Sequence, residues 1–179
     1  RGVRDFGYTL VATTKGDGYV MAIVKRDAPI ETIKDVQAKR IALAAVGSYT
    51  GRMSIALLRD NGIDVAKLSQ VKRHRDEAVI GYAVDQGMAD VGFVASYSSV
   101  GRQWQKRGGR VLAKGPLQPF NPIVASPSVN AADLGRLRAA LLLLDRTDDG
   151  KVILERIGLV GFEERSVEDL DRLLKWIGQ

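Results

Sequence analysis

The chain has 179 residues, 45% of them hydrophobic and 27% charged, enough for one compact domain or two small lobes with a real core. It contains no cysteine, which excludes disulfides, thiolate metal sites and cysteine nucleophiles. A formal charge of +6 and a pI near 9.7 admit an anionic ligand, but the basic residues are interleaved with acids and form no tail, so nucleic acid is not the expected partner.

No stretch approaches the roughly 20 apolar residues of a transmembrane helix, and the run Ala139–Leu144 stops at Asp145. The chain opens at Arg1 and shows no signal peptide. Residues 7–25 predict two strands, GYTLVATT and YVMAIVKR, joined as a hairpin through Gly16-Asp17-Gly18. Pro29 and Glu31 suit the first turn of a short helix.

From residue 39 the pattern becomes strand–helix alternation. A strand is expected over Ile41–Val46 and a helix from Thr50 to Asn61, stopped by Asn61-Gly62. A strand near Ser69–Lys72 and a helix over Asp76–Gln86 follow, with Val79, Ile80, Ala83 and Val84 inward. Next come a buried strand over Ala89–Ala95, a helix over Ser99–Gln105 and a strand over Arg110–Ala113. Such alternation implies an α/β fold, a mostly parallel sheet with helices on both faces. Residues 115–130 carry four of the five prolines and read as a crossover with one strand, Ile123–Ser126. The remainder is helical, with apolar stripes at Leu134, Leu137, Leu141 and Leu144, at Val152, Ile153 and Ile157, and at Leu170, Leu173, Leu174 and Ile177. No internal repeat is visible.

The stretch "VGSYTGRM" sits where a parallel strand turns into a helix. First-turn N–H groups lack intrahelical acceptors and carry the positive end of the helix dipole, so Ser48, Tyr49, Thr50 and Gly51 make a candidate oxyanion cradle. The competing reading is an ordinary serine or threonine cap. It is not a nucleotide-binding phosphate loop, because no lysine follows Gly51. His74, the single histidine, could donate to an oxyanion, while Asp76 and Glu77 fall in a first helical turn where carboxylates stabilise the dipole. One histidine without a cluster makes no metal site, and no catalytic constellation emerges. Tyr97 and Ser96 follow another strand of the same sheet, and Tyr19 and Tyr8 flank the first turn. Trp104 and Trp176 read as packing residues.

Taken in order, "GYVMAIVKRDAPIETIKDVQAKRIALA", "GSYTG", "AVIGYAVDQGMADVGFVAS" and "NPIVASPSVNAADLGRLRAALLLLDRTDDGKVILERIGLVGFE" resemble the periplasmic phosphate/phosphite/phosphonate-binding proteins of ABC transporters. The resemblance implies a type II periplasmic-binding fold, with a small oxyanion held in a cleft between lobes. In that family a small hydroxyl-rich loop grips the phosphorus oxyanion; the matching positions are Ser48-Tyr49-Thr50-Gly51, with Tyr49 in place of a small residue. His74 lies near the family's ligand-contacting histidine, Asp76 stands in strict register with it, and Ser96-Tyr97 fall roughly where a pocket acid is expected. Tyr19 matches a typical first-lobe aromatic.

The resemblance also implies a partial first lobe, residues 1–31 and 115–179, without the family's opening strand–helix units, and a full second lobe, residues 32–114. An exposed sheet edge in such a partial lobe would favour a homodimer. The implied function is non-enzymatic: a periplasmic solute-binding component that hands a phosphate-, phosphite- or phosphonate-like anion to a transporter permease, with no cofactor and no metal. A ligand-sensing regulatory domain of the same fold is the alternative. Nucleic-acid binding through Lys72–Arg75 and Arg102–Arg110 is a weaker third.

Overall fold

The computed structural model describes residues 2–179. The chain forms two compact units, one made of residues 2–17 with Gln118–Lys175, the other of Gly18–Leu117 with Trp176–Gln179. The sequence reading had put these breaks at 31/32 and 114/115. The boundary at residue 17 follows from strand β2 (Val20–Val24), which is buried along its length in the middle of the larger unit's sheet.

The larger unit is built on a five-stranded sheet. Its strands are β2, β3 (Ile41–Ala44), β4 (Val71–His74), β5 (Val91–Ala95) and β6 (Arg110–Lys114), in the spatial order β4-β3-β5-β2-β6. β3 pairs in parallel with β4 and β5, whereas β2 is antiparallel to both β5 and β6. Four strands therefore run one way and β2 alone runs against them, the mostly parallel arrangement that strand–helix alternation implies.

Alternate side chains of these strands feed two cores. On one face α2 (Tyr49–Asp60) packs Met53, Leu57 and Leu58 with Val20, Ala22, Val24, Ile41, Leu43, Val91 and Phe93. On the other, α3 (Glu77–Asp85) and α4 (Ser99–Trp104) bring Ile80, Ala83, Val84 and Trp104 against Met21, Ile23, Ala42, Ala44 and Val94. Covering both faces is why β2, β3 and β5 read as continuous apolar runs. The Trp104 indole N–H is satisfied in this core, donating to the Val24 carbonyl at 3.1 Å and the Arg110 carbonyl at 3.2 Å. Val79 departs from its predicted inward place: it is 44% exposed, because a helix on one face of a sheet buries only one stripe.

In the smaller unit β1 (Thr9–Thr14) is the central strand of a three-stranded antiparallel sheet, flanked by β7 (Ile123–Ala125) and β8 (Phe162–Glu163). Around it lie α1 (Gly2–Phe6), α5 (Ala131–Leu143), α6 (Asp148–Ile157) and α7 (Val167–Trp176), whose last residue belongs to the larger unit. The Arg138 guanidinium of α5 donates to the Leu10 and Val11 carbonyls of β1. The buried anchor of α6 is Leu154, at 2% exposure, rather than the predicted stripe, since Val152, Ile153 and Ile157 are each about half exposed.

The predicted hairpin does not form. β1 and β2 lie in different sheets, each between two other strands. A two-residue hairpin turn of type I′ needs positive φ at both central residues, and in Gly16-Asp17-Gly18 only Gly16 has it, at 86°. Two strands buried on both faces each need neighbours on both sides, which a lone hairpin cannot supply. The proline-rich crossover is also partly packed: Gln118 and Phe120 are buried, and the Thr14 hydroxyl donates to the Phe120 carbonyl at 2.7 Å.

Candidate functional site

The larger unit has one place where neighbouring parallel strands send their chains in opposite directions. From β3 the chain runs through α2 to β4 on one side; from β5 it runs through α4 to β6 on the other. β3 and β5 are adjacent, and their helices lie on opposite faces. The carboxyl ends of these two strands thus form a switch point, where open α/β sheets bind ligands.

Two turns with the same internal bonding stand there. The Ser48 hydroxyl donates to the Ala45 carbonyl at 2.7 Å and accepts from the Gly51 N–H at 3.0 Å. The Ser98 hydroxyl donates to the Ala95 carbonyl at 2.8 Å and accepts from the Gly101 N–H at 3.0 Å. In both, glycine is required by packing: a Cβ at Gly51 would stand 2.1 Å from the Ala45 carbonyl oxygen, and one at Gly101 2.0 Å from that of Ala95. Gly51 therefore lets the helix approach its own strand. The spacing Ala-x-x-Ser-x-x-Gly-Arg recurs over 45–52 and 95–102, a short internal echo visible in the sequence once both ends are compared.

Thr50 joins the two turns. It is buried, and its hydroxyl donates to a Glu77 carboxylate oxygen at 2.6 Å. The other Glu77 oxygen accepts from the Ala95 N–H at 2.8 Å. The Tyr97 phenol interacts with both Glu77 and Thr50. Burial, and then the Glu77 charge, push that phenol up to about 12, with the Thr50 bond offsetting part of the rise. Glu77 was read from sequence only as a dipole-stabilising residue. Its true place at the crossing of three strand–helix junctions has no local sequence signature, because it depends on the β3–β5 pairing.

Tyr19 belongs to the same edge, since β2 starts where β5 ends. Its N–H donates to the Ser96 hydroxyl at 3.0 Å and its carbonyl accepts from the Ser96 N–H at 2.8 Å. The Lys114 ammonium lies 5.3 Å from its ring centroid, within cation–π range. Lys114 was not anticipated; its register opposite Met21 brings it to this edge.

Two candidates sit elsewhere or act otherwise. Asp76 caps α3, its carboxylate accepting from the Ala78 N–H at 2.8 Å, which is the ordinary capping role. His74 ends β4 beside Ala44 and lines a cavity of about 620 Å³ with Val79, Ala83 and Met88, on the α3 side of the sheet. Tyr49 begins α2 directly after the Ser48 cap. Among the described residues no group of three or more His, Cys, Asp or Glu is placed to hold a metal ion, and no helix is long and apolar enough to cross a membrane.

A family model described as "ABC transporter, phosphonate, periplasmic substrate-binding protein" matches residues 1–170. No curated protein sequence matches the chain. Among solved structures, a Xanthomonas citri protein bound to ATP superposes with a TM-score of 0.74 at 20% identity, covering 96% of this chain and 70% of that one. A binding protein component of an ABC phosphonate transporter from Pseudomonas aeruginosa gives 0.76 at 16% identity, covering 94% and 61%. PhnD1 from Prochlorococcus marinus in complex with methylphosphonate gives 0.75 at 13% identity, covering 96% and 71%. At these identities the structural likeness speaks to the fold alone, and that fold is the type II periplasmic-binding fold expected from the sequence.

Proposed function

The chain belongs to the family of periplasmic phosphonate substrate-binding proteins of ABC transporters, and from that premise we propose that it captures a small phosphorus oxyanion at the carboxyl ends of β3 and β5. Members of this family are solute-binding components of transport systems rather than enzymes, and the family is periplasmic. In our reading this chain does the same work in the periplasm and passes its ligand to a transporter permease.

The observation that carries the reading is the coincidence of the switch point with the start of α2. A helix of 12 residues starts there, so the partial positive charge of its first-turn amides lies at the switch point, with the Gly51 N–H held by the Ser48 hydroxyl. Phosphorus oxyanions are held well by such amides, which are fixed in direction and cost no lysine desolvation. Thr50, Tyr97 and Tyr19 supply hydroxyls and aromatic wall, and Lys114 supplies a positive charge at the rim. Ser48 and Gly51 shape the turn, and Tyr49 borders it. Asp76 and His74 take no direct part in this reading: one is a cap and the other lines a separate cavity.

Calorimetric titration with phosphate, phosphite and methylphosphonate tests the proposal. Saturable binding of any of the three is the expected result. No heat from all three, with the protein folded, would remove the phosphorus oxyanion as ligand.

A further inference from the structure

Two donors at this site already hold an anion that belongs to the protein. The Glu77 carboxylate spans them, one oxygen accepting from the Thr50 hydroxyl at 2.6 Å and the other from the Ala95 N–H at 2.8 Å. A threonine hydroxyl has a single proton, so while it points at Glu77 it cannot point at a ligand.

Glu77 is placed to do this by local sequence and by topology together. It is the first residue of α3, following the Asp76 cap, so its side chain lies at the amino end of a helix that favours negative charge. Its carboxylate is part-buried, where charge–charge interactions are screened less than at the surface. An incoming oxyanion at the start of α2 would meet Thr50, and behind it a like charge within a few bond lengths.

We propose that Glu77 is a resident competitor of the ligand: its carboxylate occupies the Thr50 hydroxyl in the empty site and must give it up before an oxyanion can take that donor. This rests on the functional reading above and adds to it a specificity-determining residue. Glu77 sets how weakly the site holds anions, so that only a ligand with enough further contacts displaces the internal carboxylate.

The test replaces the charge while keeping the shape. In Glu77→Gln the amide can turn its NH2 toward Thr50 and release the threonine proton to the ligand. Titration of both proteins with phosphate, phosphite and methylphosphonate is expected to show at least tenfold tighter binding by the variant. Wild-type binding that is unchanged or weakened in Glu77→Gln would overturn the inference and leave the function standing. A silent wild type with a binding variant would end the receptor reading and leave the inference standing, whereas silence from both would end the two together. NMR on wild type that binds gives a measure independent of the variant's folding: methylphosphonate at saturation should move the Glu77 carboxyl carbon and the Ala95 amide. Saturation with both resonances unmoved would overturn the proposal.

Discussion

Gly51 approaches Ala45 so closely that a methyl group on it would stand 2.1 Å from the carbonyl oxygen, nearer than any real contact. The first turn of α2 is thereby clamped to the end of β3, and backbone, unlike a flexible side chain, cannot step aside. Gly51→Ala should therefore destabilise the protein by about 2 kcal/mol or more, as overpacking does. Gly101→Ala should behave alike, its methyl lying 2.0 Å from the Ala95 oxygen. Gly47, with nothing within 4 Å of its would-be Cβ, is the control, and Gly47→Ala should stay within about 0.5 kcal/mol of wild type. Urea denaturation reads all three; a Gly51→Ala protein as stable as Gly47→Ala would refute the clamp.

Each serine cap satisfies one helix donor and one turn carbonyl. Ser48→Ala and Ser98→Ala should each cost about 1 kcal/mol, the usual worth of such a cap. Thr50 of one turn and Ala95 of the other bond the same Glu77 carboxylate, so the double variant should depart from the sum of the single losses. Strict additivity would mean that the turns act independently.

Tyr97 offers a spectroscopic prediction. Its phenol is raised to about 12 from an ordinary 10.0, first by burial and then by the Glu77 charge. The neutral form is thus favoured in the folded protein. Its contribution to stability is full below the unfolded value near 10 and is lost as pH rises through the folded value of about 12. Alkaline titration followed by tyrosinate absorbance should show one late-ionising tyrosine in wild type. Tyr97→Phe should delete that late step, and its survival there would assign the shift to another residue.

Arg40 and Asp90 tie the starts of β3 and β5 at the far edge of the sheet. The Arg40 side chain donates to both Asp90 oxygens, and the Arg40 N–H adds a third bond at 2.8 Å. The Arg40 side-chain bond is the chief reason that the Asp90 carboxyl lies below its ordinary value. A depressed carboxylate stabilises above its unfolded value, near 3.9, and loses that contribution as pH falls through the lower folded one. Both side chains are partly exposed, so the pair should contribute only modestly at neutral pH. Asp90→Asn should show that loss at pH 7 and a shallower decline below pH 4; an unaltered acid slope would remove the pair from the account.

Much of the larger unit could be read from sequence because its signals are local. The helix over Tyr49–Asp60 begins at a serine and stops at Asn61-Gly62, and the strands Ile41–Ala44 and Val91–Ala95 are unbroken apolar runs. What local pattern could not show was pairing. Thr9–Thr14 and Val20–Val24 look like hairpin partners, yet each finds its neighbours more than 50 residues away along the chain. The site divides along the same line. Ser48 announces itself as a cap by residue type and position, and the structure gives it that work, while Asp76, expected inside the first turn, caps α3. Glu77 and Lys114 carry no such mark, since what brings them to Thr50 and Tyr19 is strand order. His74 ends β4, where parallel pairing opposite Ala44 places it with Val79 and Ala83 of α3.

Under the proposed function, the paired serine turns bear on how much chain must be ordered when an anion is captured. Each turn is held by bonds that begin and end within seven residues. Capture then spends little on freezing loose chain, and release leaves no frayed loop to be rebuilt.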